Sequence, residues 1–178
     1  MIPETLVENH EWLRICEAAW TDPLDPTFAQ AHGGRWNPPG SWPTLYLTED
    51  VVTARLNLTS FIAGWPYRPE ELNGENAPHL AVATLPRSQT VADVHTSRGV
   101  SAAGLPTTYP FDVSTDLIPH AVCQPIGADL RKAGMRGVRC RSAQTPLGAG
   151  RELAWFPATS RSRAHLVERR QYADWFWG

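Results

Sequence analysis

The chain has few cysteines, no long apolar run and little net charge, and each of these shortages excludes a class of protein. Its 178 residues include three cysteines, Cys16, Cys123 and Cys140, which are odd in number and irregularly spaced. Such a set does not build a disulfide framework or a metal site, so we expect a reducing, cytoplasmic location and no bound metal. No apolar run reaches the length of a membrane span, and the first residues lack the features of a signal peptide.

The charge is close to balanced, with 16 basic and 18 acidic residues and a net charge of −2. No overall field therefore draws the chain to nucleic acid or to a membrane. The arginine-rich stretch 161–170 is diluted by Glu168 and contains apolar residues, so it predicts a solvated strand edge and disfavours nucleic-acid binding. The terminal Trp175-Phe176-Trp177 is exposed apolar surface unless it docks on the domain or on a partner.

Sixteen prolines divide the chain into short elements. Apolar spacing predicts a helix capped by Glu49 or Asp50 over 50–63 and a second helix over 119–133 that ends at Gly134. A proline-broken loop is predicted over 65–78. Strands are predicted at 11–16, 44–47, 79–85, 90–94, 137–141, 152–156 and 165–172. Short mixed strands with a few helices indicate an α+β fold, and the length suits a single domain over 1–178.

The most informative segment is a loop rich in glycine and proline around one arginine. It reads His32-Gly33-Gly34-Arg35-Trp36-Asn37-Pro38-Pro39-Gly40, and Leu45-Tyr46-Leu47 follows it closely. An arginine held in a rigid loop beside an aromatic ring suits a planar, anionic ligand such as a nucleotide. A purely structural turn with a surface arginine has the same pattern, so the loop alone leaves both interpretations open.

The phrases GGRWNPP and LYL, this close together, resemble the RES domain family. Weaker similarities extend over nearly the whole chain, at Trp12-Leu13-Arg14-Ile15, Cys123-Gln124-Pro125-Ile126-Gly127, Gly137-Val138, Arg141-Ser142-Ala143 and Leu153-Ala154-Trp155-Phe156. The resemblance implies an ADP-ribosyltransferase-like fold, with a split mixed β-sheet, a ligand cleft and a few helices. It also implies NAD+ degradation and, as in many members, the role of a toxin in a bacterial toxin–antitoxin pair.

That family is named after an arginine, a glutamate and a serine, and this chain matches the signature only in part. Arg14 stands at the position of the arginine. The glutamate is expected on the helix after the LYL strand, where this chain has Asn57. The serine is expected three residues before the glutamine of the Gln-x-x-Gly phrase, where this chain has Ala121, and Ser142 in a later strand is a candidate substitute.

Cleavage of NAD+ between nicotinamide and ribose builds positive charge on the ribose, as in glycoside hydrolysis. A site for this reaction needs cations for the pyrophosphate, an aromatic wall for the nicotinamide and an anion near the ribose. On the resemblance and the loop pattern, the residues expected to bind NAD+ are Arg14, Arg35, Trp36, Tyr46 and Gln124. Those expected to take part in catalysis are Asn57, Ser142 and His120, and His32 is a further nearby candidate.

Asn57 bears most directly on mechanism. Asparagine keeps hydrogen bonding but lacks a charge. A unit negative charge ~4 Å from the positive charge on the ribose, at an effective dielectric constant of ~20, stabilises it by roughly 4 kcal/mol, or about a thousandfold in rate. Cleavage is therefore expected to be slow, and Asn57→Glu is expected to speed it. Glu49 or Asp50 could replace part of the missing charge. Tyr46 is expected to face the cleft, with Leu45 and Leu47 directed into the core.

Three functions stay open on the sequence. The first is NAD+ cleavage of the glycohydrolase type by a toxin that a cognate helix-turn-helix antitoxin neutralises. The second is an ADP-ribosyltransferase that passes ADP-ribose to a small molecule or a macromolecule. The third is a non-catalytic protein that binds NAD+ or another nucleotide.

Overall fold

The computed structural model describes residues 1–73 and 77–178, so three residues of the loop predicted at 65–78 lie outside the described residues. An eight-stranded mixed sheet runs through the molecule in the order β1-β5-β6-β7-β3-β2-β4-β8. Its strands are β1 (Pro3–Thr5), β2 (Trp12–Cys16), β3 (Leu45–Thr48), β4 (His79–Thr84), β5 (Thr90–Val94), β6 (Gly137–Arg141), β7 (Arg151–Trp155) and β8 (His165–Arg170). The helices are α1 (Thr27–His32), α2 (Val51–Ile62), α3 (Ser97–Ala102), α4 (His120–Lys132) and α5 (Tyr172–Phe176). The α+β prediction is confirmed.

The sheet has a narrow joint near its middle. Strands β5 and β6 pair in parallel, and every other neighbouring pair is antiparallel. Strands β2 and β3 share a single registered pair, Leu13 with Thr48, and the Thr48 hydroxyl donates a hydrogen bond to the Leu13 carbonyl at 3.3 Å. Five strands lie on one side of this joint and three on the other. The split sheet implied by the resemblance takes this form.

Along β3, successive side chains point to opposite faces of the sheet, and their contacts show which core cluster lies on each face. Leu45 and Leu47 belong to a core cluster on one face of the sheet. On the opposite face, Tyr46 packs against a different core cluster, which includes residues of α4. This is the alternation of Tyr46 against Leu45 and Leu47 that the sequence predicted. Helix α2 covers the same face beyond the joint, where it packs against Leu13.

The two long helices begin and end where the sequence indicates. Asp50 caps α2, because its carboxylate accepts hydrogen bonds from the backbone N–H and the hydroxyl of Thr53, at 2.7 and 2.9 Å. Helix α4 follows Pro119, and the chain leaves it through Gly134 at a φ of +86°. Among the residues that the structure describes, no helix is long and apolar enough to cross a membrane.

Four short elements, β1, α1, α3 and α5, were not predicted. The segment predicted as one strand over 165–172 ends as a strand at Arg170, and Tyr172 begins α5. Helix α5 docks on α2: the carbonyl of Trp175 accepts two hydrogen bonds from the Arg55 guanidinium, and the Trp175 ring is buried. The terminal aromatic segment therefore packs on its own domain, and Trp177 stays exposed.

Candidate active site

The arginine-containing loop is folded around the hydroxyl of Tyr46. This hydroxyl accepts a hydrogen bond from the backbone N–H of Trp36 at 2.9 Å and donates one to Asn37 Oδ1 at 2.8 Å. Gly34 lies directly on the Tyr46 ring, where any Cβ would clash with the ring, so the loop requires glycine there. Burial raises the pKa of Tyr46 far above its ordinary value, which keeps the phenol neutral and able to donate.

Helix α4 packs against the other side of this loop. Gln124 Nε2 donates a hydrogen bond to the carbonyl of Gly34 at 3.0 Å. The carbonyl of Trp36 lies where a Cβ of Gly127 would stand, so the helix approaches the loop through a bare backbone. The Trp36 side chain is fully buried and its Nε1 donates to Cys140 Sγ at 3.2 Å. Trp36 and Gln124, which the sequence suggested as NAD+ ligands, are thus placed as anchors of the loop.

Arg35 directs its charge toward the interior of the molecule. Its Nη1 donates a hydrogen bond to the carbonyl of Ile118 at 2.7 Å. Burial raises the pKa values of Cys123 and Glu152, and the positive charge of Arg35 opposes both shifts. Burial lowers the pKa of His120, and the same charge lowers it further. Arg35 is therefore a cation held at the Ile118 carbonyl, and its charge acts on Glu152, Cys123 and His120.

Three polar side chains meet on this face of the sheet, one from α2, one from the residue after β6 and one from β7. We call them the polar cluster: Asn57, Ser142 and Glu152. Asn57 Nδ2 donates a hydrogen bond to Glu152 Oε1 at 2.8 Å. Ser142 Oγ lies 2.7 Å from the same carboxylate oxygen and 3.0 Å from Asn57 Oδ1. The structure thus brings together two residues suggested by the sequence and a glutamate that it did not suggest.

The carboxylate of Glu152 is held at one oxygen and free at the other. Burial raises its pKa, while the hydrogen bonds from Ser142 and Asn57 and the charge of Arg35 favour its ionised form. No residue within 1–73 or 77–178 donates a hydrogen bond to Oε2. The described residues therefore leave one carboxylate oxygen of the cluster available to a ligand.

The two carboxylates considered as replacements for the missing glutamate have other partners. Glu49 is ion-paired with Arg139, whose Nε donates to Glu49 Oε2 at 3.0 Å. Asp50 is occupied as the cap of α2. Glu152 carried a signal in the sequence, since it precedes the apolar run Leu-Ala-Trp-Phe, all of which is buried. A carboxylate at the start of a buried strand needs hydrogen-bond donors around it, and such an arrangement of polar groups indicates a functional site.

A groove of about 700 Å³ opens beside Asn57, between α2 and the turn that follows β2. Its walls are mainly apolar and include Trp20, Phe61 and Trp65. Ser60 and Gln144, which lie next to Asn57 in this groove, add polar atoms near the cluster. The groove therefore combines flat apolar walls with polar groups at one end.

Arg14 lies in a second groove of about 490 Å³. Its Nη1 donates a hydrogen bond to the carbonyl of Asp25 at 3.1 Å, and its guanidinium carbon lies 5.4 Å from the centre of the Trp20 ring. Because Leu13 pairs with Thr48 on the face that carries Tyr46, alternation puts Arg14 on the opposite face of β2. The structure therefore does not group Arg14 with Arg35 and Tyr46.

The two grooves are nevertheless neighbours, since both are lined by Glu17 and Trp20. The remaining candidates lie outside the polar cluster. His120 and Ala121 are exposed in the first turn of α4. His32 stacks on Phe28, and its Nδ1 lies 3.0 Å from the Phe28 carbonyl.

Comparison with known proteins gives two positive findings. The model of the RES domain family matches residues 7–177. A chain of the crystal structure of the M. tuberculosis MbcT–MbcA toxin–antitoxin complex superposes with a TM-score of 0.74, at 22% identity, over 98% of this chain and 92% of that chain. At that identity the likeness shows the fold. A sequence search of curated proteins gives no significant match.

Proposed function

This chain belongs to the RES domain family, and on that premise we propose that it binds NAD+ and cleaves the bond between nicotinamide and ribose. The observation that carries the proposal is the polar cluster, in which a serine and an asparagine hold a carboxylate beside the apolar groove. A groove of about 700 Å³ falls within the range of roughly 300–1,000 Å³ that is usual for small-molecule sites.

The residues around the groove fit the parts of NAD+. Trp20, Phe61 and Trp65 offer flat apolar surfaces on which a planar base can stack. The polar cluster provides hydrogen-bonding groups and negative charge for the ribose. Arg14 lies across Trp20 in the adjoining groove, so an extended dinucleotide reaching from the cluster past Trp20 would bring its pyrophosphate toward a cation.

The proposed reaction is a substitution at C1′ of the nicotinamide ribose. The C1′–N bond breaks, and its electron pair leaves with nicotinamide, which becomes neutral. Positive charge develops on the ribose and is stabilised by an anion placed beside it. The oxygen of water then bonds to C1′ and one proton is released, so the products are nicotinamide and ADP-ribose.

We also propose that the protein is the toxin of a toxin–antitoxin pair. The family resemblance implies this role, and the superposed structure is itself described as a toxin–antitoxin complex. Unrestrained cleavage of NAD+ would drain a metabolite that every cell needs, so a neutralising partner is consistent with the chemistry. A cognate helix-turn-helix antitoxin remains our prediction for that partner.

The test measures NAD+ binding by calorimetry and nicotinamide release by chromatography. We expect the wild type to bind NAD+ and to release nicotinamide and ADP-ribose in equal amounts. Arg14→Ala removes the cation proposed for the pyrophosphate and should weaken binding by about 1.5–3 kcal/mol, roughly 10- to 150-fold. Arg161→Ala, a matched loss of an exposed arginine, should change nothing.

The outcomes separate the three candidate functions. Release in buffer supports the glycohydrolase. Release that requires an added acceptor, with ADP-ribose incorporated into it, supports the transferase. Binding without release supports the non-catalytic protein. A wild type that neither binds NAD+ nor releases nicotinamide at millimolar concentrations contradicts the proposed function.

A further inference from the structure

We infer that Glu152 is the catalytic carboxylate of this chain, taking from β7 the role that the family resemblance gives to a glutamate at the position of Asn57 on α2. The inference rests on the proposed function and deepens it. It assigns Asn57 and Ser142 as positioning residues, which hold the carboxylate toward the ribose.

The first argument is the distance across the cluster. Asn57 Nδ2 and Glu152 Oε1 are 2.8 Å apart, so a carboxylate at either end of this contact occupies nearly the same part of the site. Coulomb attraction falls with the first power of distance. Moving an anion from ~4 to ~7 Å from a positive charge would therefore keep about half of the attraction at constant dielectric. About half of the electrostatic stabilisation that is missing on α2 is therefore recovered from β7.

The second argument is the way in which the carboxylate is held. Oε1 accepts hydrogen bonds from Asn57 and from Ser142, and Ser142 Oγ in turn accepts one from the backbone N–H of Gln144 at 3.2 Å. Oε2 accepts none from any residue of the described ranges. One oxygen is thus fixed and the other is left for a ligand, which is the preorganisation that electrostatic catalysis requires.

The third argument is that the rival carboxylates are unsuited to the role. Glu49 is neutralised by Arg139, and Asp50 caps α2. Glu17 lines the groove, but its side chain is exposed and accepts no hydrogen bond from the part of the chain that the structure describes. An exposed and unheld charge is screened by water and is worth little.

In the reaction, the ionised Oε2 faces the ribose while the C1′–N bond breaks and its electron pair leaves with nicotinamide. Positive charge on the ribose is then balanced by the carboxylate. Water adds to C1′, and its proton passes to Oε2 and from there to solvent. The carboxylate returns to its ionised form, so no further reactant is needed.

A pH profile gives a readout that a merely structural role would not produce. The ionised form is the active one, and burial raises the pKa of Glu152. The rate should therefore be full above this raised pKa and fall as the pH drops through it. Glu152→Gln should abolish this acidic limb of the profile, because glutamine does not titrate.

The main experiment follows nicotinamide release in single turnovers. Glu152→Gln keeps the shape of the side chain and one acceptor for Asn57 and Ser142, but removes the charge. We expect a rate loss of about 30-fold, which corresponds to about half of the attraction of a charge at ~4 Å, with NAD+ affinity changed by only a few-fold. Glu8→Gln, the same substitution at an exposed glutamate outside both grooves, should leave the rate near the wild-type value.

An exchange of the two side chains tests the geometry directly. Glu152→Asn alone should be about as slow as Glu152→Gln, and the double variant N57E/E152N should recover much of the rate, because it restores one carboxylate and one amide across the same contact. Asn57→Glu alone places two carboxylates within hydrogen-bonding distance, where one must take up a proton. It should not speed the reaction, which reverses the sign expected from the sequence.

The results separate failure of the inference from failure of the proposed function. If the wild type releases nicotinamide and Glu152→Gln does so equally fast, the inference is overturned and the proposed function stands. If the exchange recovers nothing relative to folded Glu152→Asn, the positional argument is wrong. If the wild type neither binds nor cleaves NAD+, both are overturned.

Discussion

Two hydrogen bonds at the hydroxyl of Tyr46 set the shape of the loop that carries Arg35. Tyr46→Phe removes both and leaves a backbone N–H of Trp36 and the Oδ1 of Asn37 without this partner. Leaving such groups unsatisfied costs about 1–3 kcal/mol, so Tm should fall by several degrees. Calorimetric melting of the variant measures this effect.

Tyr67→Phe is the matched control, since Tyr67 is exposed, and its Tm should not change. The sequence predicted that Tyr46 faces the cleft, and a residue in that position would affect ligand binding and leave stability intact. An unchanged Tm in Tyr46→Phe, together with weaker NAD+ binding, would restore Tyr46 as a wall of the ligand site.

The residues of the site differ in how far the sequence could place them. Asn57 and Ser142 were found through the family resemblance, which supplies their relative positions. Glu152 was missed because its one local signal is the apolar run that follows it, whereas its hydrogen bond with Asn57 spans 95 residues of chain. Trp36 was assigned to the ligand because an aromatic residue next to an arginine has the same local pattern whether it lines a site or fills a core.

At the scale of elements, helix α4 and the arginine-containing loop behave as one unit, because the backbone of Gly127 lies against the carbonyl of Trp36. Gly127→Ala would force the two apart. We expect a loss of about 1–3 kcal/mol or more in unfolding free energy, as for overpacked cores, together with loss of activity from displacement of Arg35.

Gly64→Ala is the matched control for that prediction, because a Cβ at Gly64 meets open space. Its effect on the unfolding free energy should stay within about 0.5 kcal/mol. Chemical denaturation of both variants measures the two free energies of unfolding. Equal stability of the two would show that the helix and the loop separate at little cost.

The sequence predicted the elements that contain their own signals. Helix α2 has a capping aspartate and α4 has a glycine beyond its end, and both are long enough to show a pattern. The four missed elements are three to six residues long. Elements that short are stable through tertiary contacts, as α5 shows with Arg55 and Trp175, and such contacts leave no periodicity to detect.

At the scale of the whole molecule, the proposed activity predicts a cellular effect. Induced expression in growing bacteria should lower the cellular NAD+ content and arrest growth. The Glu152→Gln variant, produced at the same level, should do neither, because it lacks the catalytic charge. Growth curves and NAD+ assays of the two cultures measure this, and growth arrest by both would point to a toxic mechanism other than cleavage.

The mixed sheet followed from the resemblance, whereas its strand order depends on long-range pairing. No pattern in the sequence indicates that the sheet narrows to one pair between Leu13 and Thr48. It also could not show that β2 turns Arg14 to the face away from Tyr46. Both features arise from the register between strands, which is decided by the packing of the complete chain.

The contact between Asn57 and Glu152 has a consequence for descent. During evolution the amide and the carboxylate can exchange positions across this contact, but the exchange takes two substitutions. After the first substitution the site holds either two carboxylates or none. Two carboxylates repel each other, and a site without a carboxylate lacks the catalytic charge. Selection therefore acts on the two positions together. Related chains should therefore fall into two groups, with glutamate on the helix in one and on the strand in the other, and mixed forms should be rare.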